Sequence, residues 1–327
     1  MLLMIFFAFL FLFTFFITFV IIFPLIIPRL TRARIVGKDI HKPQRIELPE
    51  MGGLGIISGF CLGTILAIGV KIFIDNAIPL DVTSLLAVLS SILMISLIGI
   101  FDDLFAIRQW VKTLLPALAA LPLMATKTGY TVLFIPFEGP VEFGIFYSLL
   151  LIPLGVTGAA NGVNMLAGFN GLELGMGSVA IITLAIIAYH LQAMTAFAIL
   201  IIAMGALLAA LYFNRYPAKV LIGDVGTLSI GAIIASAVII GNFEMAGIII
   251  IIPYFADFLL KAAHRFPSKG WGGIYKNGRL FCPDYGPVGL CQLIMKIAGG
   301  ITEKRLVLTL IGIEALFGIA AIFFYVM

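Results

Sequence analysis

Charge is what this sequence has least of. Asp, Glu, Lys and Arg make up 11% of its 327 residues, where soluble domains carry roughly 25%. A chain solvated by water over its whole surface is therefore excluded. Cysteine is nearly absent too. Cys61 lies in an apolar run, and Cys282 and Cys291 stand nine apart with no ligand spacing around them. That excludes a disulfide framework and a cysteine metal site, leaving three inert small residues. No basic residue precedes the first apolar run, Leu2–Ile27, which far exceeds the ~7–15 residues of a cleavable signal. It is expected to stay as a membrane helix. Linkers, low-complexity tracts and repeats of about 20–50 residues are lacking as well. One integral domain over 1–327 is expected, with no nucleic-acid partner.

What is present is apolar length. Hydrophobic residues are 62% of the chain, and its mean hydropathy is +1.19. Runs able to cross a ~30 Å hydrocarbon core, at ~20 residues each, recur from end to end. Ten spans are predicted, at about 2–27, 53–74, 82–100, 112–125, 145–160, 175–190, 194–211, 226–241, 245–262 and 303–326. Pro116, Pro122 and Pro153 shorten or interrupt the fourth and fifth. The odd-numbered connections hold eighteen of the twenty Lys and Arg, the exceptions being Lys71 and Lys127. Asp75, Asp81, Glu138, Glu142 and Glu244 fall on the other side. Excess Lys and Arg mark the cytoplasmic side. The expectation is an all-α integral membrane protein of ten transmembrane helices, with N- and C-termini outside and the odd loops cytoplasmic. Its one long polar excursion, 263–301, is cytoplasmic.

Five polar clusters gather on that side, and polar groups are costly enough near a bilayer to point to a shared site. GKDIHKPQRIELPEMGG (37–53) holds Lys38, His41, Lys42, Arg45, Asp39, Glu47 and Glu50. Binding of anionic lipid heads explains Lys42 or Arg45 taken singly; the Pro-Glu before Gly52-Gly53 fits that account less well. FDDLFAIRQWVKTLLP (101–116) places Asp102 and Asp103 at the end of span 3, with Arg108 and Lys112 four apart on one helix face. These four could bind a metal and a phosphate, or form a surface salt-bridge set. NGVNMLAGFNGLELG (161–175) puts Asn161 and Asn164 on one helix face, and carboxamide oxygens are hard ligands suited to Mg²⁺. Asn170 and Glu173 follow among glycines that let backbone approach a ligand. Interhelical hydrogen bonding and close packing account for any one of these residues, though poorly for the set. YFNRYPAKVLIGDVGTLSIG (212–231) sets Asp224 between two glycines at the same mouth, where it is either a metal ligand or a turn and cap. AHRFPSKGW (263–271) offers His264 and Arg265 as a phosphate clamp, although a lone His is more often structural.

Together these supply hard-oxygen ligands, several cations and glycine-rich entries, with no Ser-His-Asp or Cys-His set. Phosphoryl transfer needs that inventory, because its catalysis is mostly charge neutralisation and alignment. A membrane mouth suits one substrate with a lipid tail and another arriving from the cytosol.

In this order, the clusters resemble those of the polyprenyl-phosphate N-acetylhexosamine-1-phosphate transferases over nearly the whole chain. The resemblance is closest to the eukaryotic-type branch that uses UDP-GlcNAc and dolichyl phosphate. It is carried by Asp39, Ile40, Lys42, Leu48-Pro49-Glu50 and Gly52; by FDD, Arg108, Lys112 and LP within 101–116; and by the N-N-LAG-NGLE pattern of 161–173. The YP-V-GD pattern of 216–224 and the HR-P of 264–267 complete it. The resemblance implies ten helices, a cytoplasmic active site, and transfer of a sugar-1-phosphate from a UDP-sugar to a polyprenyl phosphate with release of UMP. It implies Mg²⁺, with Mn²⁺ as a substitute, held by Asn164 and Asp224. Lys112 would hold phosphate, Asp102 and Asp103 would sit by the acceptor phosphate, and Asn170 would contact the uracil. His264 and Arg265 would grip the donor's pyrophosphate and sugar. Lys42, Glu50, Asn161 and Glu173 are placed at the substrate site without separate roles.

This chain departs from the branch in three places. Ala263 stands where the branch has an Arg before the His, and Ser268-Lys269 where it has another after the Pro. Leu221 replaces an aromatic near the uridine, three residues before Asp224. The chemistry and the UDP portion are thus better specified than the sugar, and UDP-GalNAc or a UDP-MurNAc derivative is the alternative donor. A transporter or lipid flippase is a third reading, against which stand the absent repeat and the one-sided clusters. The expected location is the cell membrane, or the endoplasmic reticulum in a eukaryote, with room for a homodimer.

Overall fold

The structure is a computed structural model that describes residues 2–42, 46–126, 131–135, 139–267, 270 and 272–326. Arg45, Lys127, Glu138, Ser268 and Lys269 lie outside the described residues. Among those described, nine helices are long and apolar enough to cross a membrane. In chain order with the shorter elements they are α1 (Leu2–Arg32), α2 (Gly53–Phe73), α3 (Val82–Phe105), a broken α4 (109–125), α5 (Tyr147–Leu166), α6 (Leu172–His190), α7 (Met194–Asn214), α8 (Gly223–Gly241), α9 (Glu244–Ala263), the short α10 (Leu290–Ile297) and α11 (Glu303–Val326).

The expected fourth span is the point of difference. Instead of one helix over 112–125, the chain forms three pieces, Gln109–Leu114, Pro116–Ala119 and Leu121–Ala125. Proline lacks the N–H an interior turn needs and clashes with the preceding turn, and Pro116 and Pro122 open the second and third pieces. Pro153 behaves differently. It sits at the junction of a π-helical turn, Tyr147–Leu151, with the rest of α5, and that helix continues to Leu166.

Helix α8 is the centre of the bundle. It packs against α2, α3, α5, α6, α7 and α9, and Val225–Ile239 is buried throughout. Lipid tails are as apolar as leucine, so helices in a membrane gain by letting backbones approach closely. A Cβ on Gly53 of α2 would lie 2.2 Å from the Gly226 nitrogen of α8, so only glycine lets these two helices cross there. The outer helices point leucine, isoleucine and phenylalanine outward, as with Ile5, Phe9, Leu12 and Phe16 of α1. Such a stripe suits lipid rather than water.

Among the described residues, three two-stranded antiparallel sheets lie between helices: β1–β2 (Val36–Lys38, Glu47–Pro49), β3–β4 (Val132–Ile135, Gly139–Glu142) and β5–β6 (Ile274–Lys276, Arg279–Phe281). The first matters for the site. Its second strand runs on into the turn before α2, which is stitched to the chain entering α8. Leu221 N–H donates to Pro49 O (2.8 Å), Gly52 N–H to Leu221 O (2.8 Å), and Gly53 N–H to Ile222 O (2.8 Å).

Candidate active site

The FDDLFAI stretch ends α3 in a tight reversal. Ala106 adopts a left-handed conformation (φ 49°), and Asp102 Oδ1 accepts the Ile107 N–H (2.8 Å) to hold the turn. The other oxygen of Asp102 is then free to face Lys112 on the first piece of α4, and the two form an ion pair. Asp103 turns the opposite way. Its Oδ1 accepts the Asp224 N–H (2.8 Å) and its Oδ2 the Val225 N–H (3.2 Å). A carboxylate here satisfies orphan amides at a helix start and meets the positive end of the helix dipole. Gly223 makes this contact possible: its φ is +72°, and a Cβ would stand 2.5 Å from Asp103 Oδ2. Asp224 therefore lies in the first turn of α8, one turn further into the helix than the apolar pattern suggests.

Lys112 joins the two ends of the site, since its ammonium also pairs with Asp224 Oδ2. Arg108 does not share that face. It precedes the helix in extended backbone (ψ 135°) and is exposed. Asn161 and Asn164 both lie on α5, as the three-residue spacing requires, but they do different work. Asn161 Nδ2 donates to Thr113 O and Thr157 O, both at 3.0 Å, and so ties the lysine-bearing helix to α5. Asn164 faces Asp224. In one amide orientation its nitrogen donates to Asp224 Oδ1 (2.9 Å) and its oxygen accepts from Lys112 Nζ (3.1 Å). In the other its oxygen accepts the Thr227 hydroxyl (3.0 Å) and stands 2.9 Å from Asp224 Oδ1, while its nitrogen faces the Lys112 ammonium at 3.1 Å, a contact that requires the lysine to move away. Which holds is a matter of what lies between them.

That second orientation fits a hard cation. Neighbouring oxygens of an octahedral ion with ligands near 2.1 Å stand about 2.9–3.0 Å apart, and Lys112 pairs with the other Asp224 oxygen, Oδ2. Among the described residues no group of three acids, histidines or cysteines is placed to hold a metal ion. Asn164 and Asp224 are thus the residues that could hold such an ion, through two oxygens, a number compatible with Mg²⁺.

A second cluster binds four segments to one another. Lys42, at the tip of the first hairpin, pairs with Glu303 of α11 and with Asp39 (3.3 Å), and lies 4.4 Å from the Tyr216 ring centroid. Asn170 is buried at its centre. Its N–H donates to Glu303 Oε1 (2.9 Å), its Nδ2 to Asp39 Oδ2 (3.1 Å), and its Oδ1 accepts the Ala218 N–H (3.1 Å). Beside it, Gly171 N–H donates to Asn214 Oδ1 (3.0 Å), whose Nδ2 reaches Val220 O (2.9 Å). Glu173 folds back on the same loop and accepts the Gly168 amide. The 168–171 loop thus has its shape fixed from four sides, with the Asn170 side chain engaged in protein contacts.

Glu50 and Leu221 lie between the two clusters. A Cβ on Gly37 would sit 2.9 Å from both the Glu50 carboxyl and a Leu221 methyl, and burial raises the Glu50 pKa above the ordinary carboxylate value. His41 packs edge-on against Phe169 (centroids 4.0 Å apart). Burial, with Lys42 adding to it and Asp39 opposing, lowers its pKa from 6.5 to about 4. His264 and Arg265 stand apart: both are exposed, and His264 Nδ1 bonds to Leu260 O of its own helix (2.8 Å). Neither is hydrogen-bonded to the Lys112 cluster among the described residues. Sequence reasoning missed Glu303, Asn214 and Thr227. Asn214 has a visible signal, an amide closing an apolar run; Glu303 has none, since an acid in the first turn of a helix is ordinary.

Beyond Asn161 an apolar groove of about 520 Å³ runs between α5 and α9, with Ile234, Ala235 and Val238 of α8 at its back. Its mouth, at Thr113 and Asn161, adjoins Lys112.

Comparison with known proteins bears on this constellation. The sequence profile of glycosyl transferase family 4 matches residues 85–242, which include Asp102, Asp103, Lys112, Asn164 and Asp224. A Saccharolobus solfataricus protein, provisionally named a UDP-N-acetylglucosamine–dolichyl-phosphate N-acetylglucosaminephosphotransferase, is 39% identical, over 89% of this chain and 88% of its own. The chain belongs to glycosyl transferase family 4. A Dictyostelium discoideum protein named for the same activity is 25% identical over 88% of this chain and 80% of its own. A Staphylococcus saprophyticus phospho-N-acetylmuramoyl-pentapeptide-transferase is 31% identical over 64% of this chain and 68% of its own. In this family-4 chain, the lysine–aspartate cluster and the groove mouth are adjacent.

Proposed function

We propose that this protein transfers GlcNAc-1-phosphate from UDP-GlcNAc to a polyprenyl or dolichyl phosphate in the membrane, giving polyprenyl-diphospho-GlcNAc and UMP. The observation carrying the proposal is the placement of Lys112 between Asp102 and Asp224 at the mouth of an apolar groove. A phosphate meets cationic charge there while its lipid tail lies along α5. The names of the 39%- and 25%-identical relatives support the same donor and acceptor class.

The acceptor phosphate oxygen attacks the donor's β-phosphorus. The new O–P bond forms as the bond from that phosphorus to the bridging oxygen breaks, and UMP carries the electrons away. Lys112, drawn from its aspartates, neutralises phosphate charge, and water is excluded by the apolar groove. Asp103, with both oxygens committed to α8 amides, holds Asp224 in place. Asp102 faces the acceptor and orients it or takes its remaining proton. Asn164 and Asp224 would hold a Mg²⁺ ion, which would supply positive charge against the negative charge that develops on phosphate. The lysine and arginine excess of the odd connections supports ten crossings, with the broken α4 as the fourth, and a site facing the cytoplasm.

The test is UMP release by purified protein given UDP-GlcNAc, polyprenyl phosphate and Mg²⁺. Release at background level would sink the proposal. A second reading keeps the reaction and changes the sugar, favoured by the phospho-N-acetylmuramoyl-pentapeptide-transferase relative and by Ala263. Competition among UDP-sugars decides between them.

A further inference from the structure

The groove beside the site has an end. Tyr147 opens α5 and Glu244 opens α9, and their hydrogen bond joins the two helices at the side of the bundle away from Lys112. Both line the groove, and Tyr147 is 1% exposed. An isoprenoid chain gains nothing by displacing a buried phenol–carboxylate pair, because breaking it strands two polar groups in an apolar surround. The pair therefore closes the groove to hydrocarbon.

Its length sets its capacity. From Asn161 at the mouth to Tyr147 at the end, α5 rises about 20 Å, given 1.5 Å per residue and slightly less through the π-helical turn. An extended isoprene unit spans four carbon–carbon bonds, about 5 Å, so about four units fit end to end. The wall of α5 is Gly155 and Gly158. A Cβ on either would meet nothing within 4 Å, so these glycines keep the groove wide enough for a methyl-branched chain.

Resting on the transferase reading above, we propose that the protein measures its acceptor. It reads the phosphate and about the first four isoprene units, the Tyr147–Glu244 pair ending the count and Gly155 and Gly158 setting the width. The cationic mouth and the apolar groove, stopped at its far end, together commit the groove to the proximal end of one prenyl phosphate. Units beyond the fourth leave sideways into the bilayer and do not affect turnover.

The experiment follows UMP release by the full chain in detergent micelles, with prenyl phosphates of one to eleven units at fixed mole fraction in the micelle. The expected kcat/KM rises at least about tenfold between one and four units and is flat beyond. Gly155→Leu places its side chain in open space about two units from the mouth. It should lower the rate with a four-unit acceptor to about that of a two-unit one, so that the gain from the third and fourth units disappears. A rise that continues past six units, a flat response from the first unit, or an equal loss with all acceptors in Gly155→Leu overturns the ruler alone. Absence of UMP with every acceptor removes the transferase reading and the ruler with it.

Discussion

At the scale of the residue, two aspartates adjacent in sequence have been given separate work by geometry. Asp103 caps α8 and Asp102 pairs with Lys112, a division invisible in the letters DD because the partners lie on α8 and α4. Asp103→Ala leaves two α8 amides without a partner and should cost about 1–2 kcal/mol, read as a lowered melting temperature. Asp224→Asn keeps its size and its capped backbone. It should cut kcat by about 10²–10³ with the melting temperature within a degree or two; a fall in stability with activity intact would reverse the roles. His41 gives a pH dependence. Its folded pKa, about 4, lies below its value of 6.5 when exposed, so the unfolded chain binds the proton more readily. Its contribution is present in full above pH 6.5 and is lost as pH falls through 6.5 towards 4, by up to about 3 kcal/mol. Thermal unfolding between pH 7 and 4 should show that loss, and His41→Phe should flatten it.

The elements were legible to different degrees. Long apolar runs declared eight helices because length alone decides a span. The first run was legible as well, though its helix continues past Ile27 to Arg32. Segment 109–125 was not, because its apolar content matches a span and only Pro116 and Pro122 hint that it is broken. The start of α8 at Gly223 was hidden for another reason: the cap that extends the helix comes from Asp103, far away in sequence. Glu303 escaped likewise, its partners being Lys42 and Asn170. Close helix crossings, by contrast, are tested by glycine. Gly53→Ala, facing the Gly226 backbone, should destabilise by at least 1–3 kcal/mol, about the cost of overpacking. Gly69→Ala on the same helix meets nothing within 4 Å and should raise helix stability slightly. Equal effects at the two positions would contradict the packing described for α2 and α8.

At the scale of the molecule, the charge asymmetry becomes a statement about sides. Asn76, in the loop after α2, should lie outside, and Asn277, at the β5–β6 turn, in the cytoplasm. In a chain without its native cysteines, Asn76→Cys should react with an impermeant thiol reagent on intact cells and Asn277→Cys only after lysis. The reverse pattern would invert the topology and place the site outside. The resemblance read from the sequence located the reaction because its motifs cluster on one side. It did not show how they meet, since the contacts among Lys112, Asp224 and Asn164 cross more than 50 residues of chain each. The most direct measurement follows from that meeting: purified protein with UDP-GlcNAc, polyprenyl phosphate and Mg²⁺, assayed for UMP and for the mass of the lipid product. The account predicts stoichiometric UMP and a lipid heavier by one N-acetylhexosamine phosphate, both abolished by chelator and by Asp224→Asn. No UMP, or a lipid of unchanged mass, would contradict it.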